Sequence, residues 1–149
     1  MRPISHLHVS LPLPCLPKDA PETVIENIGR TCEAVTAVTR PFEIAFDRVM
    51  SFRGEPENHP LVLVDDGHKS DELKRLHGFL CVELAKNISA RVSIPKFSPH
   101  LTLLYCKQQL APMCVEPVCW TVKEIVLVLS EVGATKYHPL GCWCLRSDP

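Results

Sequence analysis

The 149-residue chain has almost no net charge, because sixteen basic and seventeen acidic side chains leave a formal charge of -1 at pH 7. Long-range attraction therefore cannot hold a polyanion, and any contact with nucleic acid has to be local. No apolar run approaches the roughly 20 residues of a membrane-crossing helix, and the segment Met1 to His6 lacks the apolar centre of a secretory leader. A cytoplasmic protein without membrane contact is expected. Also missing is any C-x2-C pair, the usual half of a zinc site.

Cysteine itself is abundant, with eight residues at positions 15, 32, 81, 106, 114, 119, 142 and 144. Cys81 within Gly-Phe-Leu-Cys-Val, Cys106 after Leu-Leu-Tyr and Cys119 before Trp120 have apolar neighbours, where cysteine serves as a small buried hydrophobe. Cys114 and Cys119, or Cys142 and Cys144, leave a structural zinc protein as a minority alternative. The expectation is no metal and no cofactor. A hydrophobic share of 46% with mean hydropathy near zero suits a folded globule, and the length suits one domain over residues 1–149.

Leu7-His8-Val9-Ser10-Leu11 alternates apolar and polar residues, the period of a half-buried strand, and runs into a proline-studded loop ending at Pro21. From Glu22 the residues Val24, Ile25, Ile28, Cys32, Val35 and Val38 follow helical spacing, with Pro21 at the start and Pro41 past the end. Residues 42–46 and 49–52 form strand-like runs, separated by a polar stretch from the apolar residues 61–64, as in a hairpin. Ser70-Asp71-Glu72 caps a second helix to about Asn87, with the stripe Leu73, Leu76, Phe79, Leu80, Leu84 and Ile88. A basic link, residues 91–99, leads to the strand 100–105, and strands over 120–129 and 137–145 follow, joined by a turn at 131–133. This order predicts an α+β protein with antiparallel sheets.

On a strand, residues two apart share a face, so His8 projects with Ser10, and His100 with Thr102, while leucine and valine occupy the other face. Seven histidines among sixteen serines and threonines make one isolated His-x-Ser/Thr match unremarkable. His68-Lys69-Ser70 is such a match and lies in a polar turn. The other two share an apolar-backed phase, which suggests two related lobes, each giving one strand to a shared cleft. Paired imidazoles, whose ordinary pKa is about 6.5, supply both a proton donor and an acceptor near neutral pH, and hydroxyls beside them can hold phosphate oxygens as charge builds.

Leu-His8-Val-Ser-Leu, Phe97-Ser-Pro-His100-Leu-Thr-Leu-Leu-Tyr105, the Trp120 to Val128 strand and the closing Ser130 to Trp143 segment resemble the two-histidine phosphoesterase superfamily. Within it, the LigT-like RNA 2′,3′-cyclic phosphodiesterases, also called 2′-5′ RNA ligases, are most similar. The resemblance implies a bilobal fold in which two antiparallel sheets flank a central cleft with pseudo-twofold symmetry and helices cover the outer faces. It implies a metal-independent opening of cyclic phosphate to a 2′-phosphate, with His8 as acid, His100 as base, and Ser10 and Thr102 on the phosphate. Phe97, Tyr105, Lys136 and Tyr137 are the further substrate-binding candidates, and Tyr105 stands where relatives often have arginine. The expected partners are RNA 3′ ends or cyclic nucleotides.

His6 reads as an edge-of-site residue, and His59, His77 and His138 as structural or solvated. The family's strand and helix ahead of the first motif are expected to be missing, which exposes a sheet edge to pairing with a second copy. A truncated module that binds RNA ends without turnover is the alternative function.

Overall fold

In the computed structural model the described residues are 7–13, 21–87, 94–130 and 137–147. They form α1 (Glu22–Val38), β1 (Phe42–Ser51), β2 (His59–Val64), α2 (Asp71–Asn87), β3 (Leu101–Cys106), β4 (Met113–Val122), β5 (Glu124–Ser130) and β6 (Tyr137–Cys144). Two sheets result, one of four strands in the order β3-β2-β1-β4 and one of two strands, β5 and β6. The α+β class and the antiparallel pairing of β1 with β2, β2 with β3 and β5 with β6 agree with expectation. Among the described residues, no helix is long and apolar enough to cross a membrane.

The chain divides into two units. The first contains nearly all of the four-stranded sheet, the first turn of α2, and residues 7–12. Its core is Ile44, Phe46, Val62, Leu63, Val64 and Leu73, all nearly inaccessible to solvent. Trp120 of β4 meets the edge of Phe46, with ring centroids 5.3 Å apart and planes at 84°, the arrangement that aromatic quadrupoles favour. The β1–β2 turn is held by a Glu55–Asn58 bridge and by Gly54, whose N–H donates to His59 Nδ1 at 3.3 Å. A Cβ at Gly54 would come within 2.4 Å of the Asn58 carbonyl, so only glycine fits. The entry to α2 is built by Asp65, whose Oδ2 accepts from the Ser70 backbone N–H (2.8 Å) and hydroxyl (2.6 Å).

The second unit holds α1, the rest of α2, and the β5–β6 ribbon. Ile28, Cys32 and Val35 of α1 and Leu76, Leu80, Cys81 and Leu84 of α2 are buried. The buried stripe of α2 takes in His77 and Cys81, 3.4 Å apart, and leaves Phe79 40% exposed, contrary to the expected stripe. Asn87 donates to Thr31 at 3.1 Å, tying the end of α2 to α1. After β6, the Arg146 N–H donates to the carbonyls of Thr36 and Thr39, satisfying acceptors that the end of α1 leaves open. Trp143 lies 3.5 Å from where a Cβ of Gly29 would sit.

Strand boundaries depart from expectation in two of the sheet strands, and the runs 42–46 and 49–52 are one strand, β1. The predicted strand over 120–129 is two strands, broken at Lys123, and β4 begins earlier at Met113. β4 is an edge strand, which tolerates Pro117 and shows no strict alternation. For the same reason Cys119 is exposed, not buried as its neighbours suggested. Cys81 is buried and Cys106 half-buried. Burial pushes the Cys32 thiol up to about 11.

Candidate active site

His8 and Ser10 are exposed, whereas Leu7, Val9 and Leu11 are half-buried, the alternation that the sequence predicts. The segment does not form a full strand. Its one recorded pairing is an isolated antiparallel bridge between Val9 and Leu101. Leu101 also pairs with Leu63 on its other side, so residues 7–11 add to the outer flank of β3. Both motifs lie within the first unit.

The bridge fixes the relation of the four candidate side chains. In antiparallel pairing, the residues on either side of a bridged pair face one another, so His8 stands across from Thr102 and Ser10 across from His100. All four Cβ atoms leave the sheet on the face opposite to Val9 and Leu101.

His100 lies directly before β3, half-buried, after the buried Pro99. Its Nδ1 is 2.8 Å from the Ser98 carbonyl oxygen. A carbonyl only accepts, so Nδ1 carries the proton and Nε2 of the neutral ring presents a lone pair. Phe52, at the end of β1, meets the imidazole in an edge contact with centroids 4.9 Å apart and planes at 64°. Nothing in the sequence alone singled out Phe52, since it is 48 residues away and carries no polar group.

A bulge in β3 sets the position of Tyr105. Val62 pairs with Thr102 and Leu61 with Leu104, leaving Leu103 as the extra residue. Strict alternation would send Tyr105 to the face opposite His100 and Thr102. The bulge inverts the phase, so Tyr105, opposite Pro60 and 49% exposed, joins their face, and Leu104 leaves it. Phe97 is half-buried, three residues ahead of His100. Tyr137 begins β6 in the second unit and is 37% exposed. Lys136 and His6 lie outside the described residues.

The third motif separates as its turn context suggests. His68 is 91% exposed beside Asp71, at 3.5 Å, while Ser70 is fully buried against Asp65. His59 and His77 have the structural contacts given above.

The family model of the 2′-5′ RNA ligase superfamily matches residues 2–134. Among solved structures, the TT0787 protein of Thermus thermophilus is similar at a TM-score of 0.72 and 20% identity, over 99% of this chain and 82% of that one. A crystal structure titled phosphoesterase follows at 0.67 and 18%, over 95% and 78%. Escherichia coli LigT in complex with 3′-AMP matches at 0.65 and 18%, over 96% and 79%, and LigT complexes with NADP+ and with ATP also match. No curated protein matches the chain.

Proposed function

The chain belongs to the 2′-5′ RNA ligase superfamily, and we propose that it opens 2′,3′-cyclic phosphates at RNA 3′ ends or on nucleotides, with His8 and His100 as acid and base. The observation that supports this reading is the Val9–Leu101 bridge, which brings the backbones of the two motifs next to one another. LigT, a protein of similar fold, was crystallised with 3′-AMP, NADP+ and ATP, which supports a nucleotide as the occupant.

In this reading, Nε2 of neutral His100 takes a proton from water as the oxygen attacks phosphorus. The bond from phosphorus to the 3′ oxygen breaks, and the imidazolium of His8 protonates that oxygen, leaving a 2′-phosphate and a 3′-hydroxyl. Ser10 and Thr102 donate to the non-bridging oxygens as negative charge grows. The Nδ1–H bond to the Ser98 carbonyl suits His100 to the base role, since it leaves the outer nitrogen bare. An RNA 5′-hydroxyl in place of water would give a 2′-5′ linkage by the same transfer, which accounts for the ligase direction.

No step is assigned to a metal. Purified protein incubated with 2′,3′-cyclic AMP in excess EDTA is expected to accumulate 2′-AMP at an undiminished rate. Loss of turnover on chelation, or a 3′-phosphate product, would overturn the mechanism.

One observation favours a second reading, a module that binds RNA ends without turnover: the first motif forms no full strand, and Val9–Leu101 is an isolated β-bridge. Tight binding of 2′-AMP with no hydrolysis of the cyclic form at any enzyme concentration would select it.

A further inference from the structure

We propose that Arg48 of β1 is the cation of the phosphate site, an inference that rests on the reading of the His8 and His100 face given above. Charge is the missing component there. Two imidazoles and two hydroxyls offer hydrogen bonds to a dianionic product phosphate, yet neither motif, Leu7 to Leu11 or His100 to Tyr105, brings a permanent positive charge.

The sheet register supplies one from another strand. Met50 pairs with Val62, and Val62 with Thr102, so these three share a face. Arg48 pairs with Val64, which lies one step beyond the Leu63–Leu101 pair and therefore beside His100. Continuing these registers by one step would put Arg48, Val64 and His100 in one row, and Met50, Val62, Thr102 and His8 in the next. Phe52, directly after β1 and of the same parity as Arg48, touches the His100 ring.

Arg48 is half-buried, as expected of a stem lying over Val64. Two strand spacings separate it from His100, on the order of 10 Å between Cα atoms, a gap that an arginine side chain spans. Its neighbour Asp47 faces the other way and bonds Lys69. The Lys69 hydrogen bond first, with the charges of Lys69 and Arg48 adding to it, holds the Asp47 carboxyl below the usual range, so the adjacent acid is already engaged by Lys69. A guanidinium stays charged at every working pH and presents paired N–H donors that match two phosphate oxygens.

The test titrates inorganic phosphate into wild type, Arg48→Gln, Arg48→Lys and Arg53→Gln, following the imidazole resonances of His8 and His100 by NMR. Wild type and Arg53→Gln are expected to bind alike. Arg48→Gln should bind about ten- to a hundredfold more weakly, the worth of a charged hydrogen bond. Arg48→Lys should fall between, having charge without the planar fork. KM for 2′,3′-cyclic AMP should rise in the same order, with far-UV circular dichroism unchanged. Phosphate binding by Arg48→Gln equal to wild type, or wild type whose histidine resonances ignore phosphate, would overturn the assignment. Intact, Arg48-dependent phosphate binding without hydrolysis of any cyclic phosphate would uphold it while sinking the catalytic reading.

Discussion

The segment bearing His8 joins β3 through the Val9–Leu101 bridge, with His8 and Ser10 exposed. By contrast, His100 enters a six-residue strand paired with β2, is half-buried, and has its Nδ1 and its ring held by Ser98 and Phe52. The same residue types thus differ in exposure and in the strand that carries them. A base gains from a fixed lone pair, because the direction of proton removal is set before the substrate arrives. An acid at an exposed position is open to the departing oxygen. The asymmetry is consistent with the roles proposed for the pair.

Removing either imidazole should produce the largest loss. His8→Ala and His100→Ala are each expected to lower kcat for 2′,3′-cyclic AMP by about 10²- to 10⁴-fold, the worth of general acid or base catalysis. Thermal unfolding separates them by burial, since His100→Ala forfeits the Phe52 and Ser98 contacts of a half-buried ring and should melt earlier than His8→Ala, whose ring is exposed. Equal melting temperatures would erase that contrast.

The hydroxyls come next. Thr102→Val should cost up to about 10²-fold in kcat, as loss of a fixed transition-state donor does. Ser10→Ala should cost less, because water can enter at its exposed position; the reverse ranking would place the better-organised phosphate contact on the first motif. Phe52→Leu should have the smallest effect, about a two- to tenfold fall in kcat with KM unchanged, in line with an aromatic edge contact of about 0.5–1.5 kcal/mol. An unaltered kcat would leave the ring a mere packing neighbour.

The helices were legible because their signals are local. Glu22 and Asp71 open α1 and α2 where the proline and the Ser-Asp-Glu run foretold, and Val38 and Asn87 close them. Within α2, the i and i+4 positions His77 and Cys81 displaced Phe79 from the buried stripe, since a contacted polar pair can replace an aromatic in the core. Edge strand β4 was partly hidden by Pro117 and its exposed residues.

Of the site, the residue types and their phase could be read in advance, but which strand lies beside which could not. Two apolar-backed motifs are equally compatible with one strand per lobe and with two neighbouring segments of one unit; only pairing decides. Phe52 and Arg48 were invisible for the same reason, as they reach the second motif through register across β2, not through spacing in the chain.

The extra residue in β3 gives strand register a role usually credited to side chains. With Leu103 bulged out, a phenol shares the histidine face and an isobutyl group stays behind the sheet. Pairing Leu103 into the ladder would exchange the two, turning a polar, ring-bearing wall into an aliphatic one without altering a single catalytic group. In this fold, the chemical character of the surface that a substrate meets can change by a slip of register as readily as by substitution.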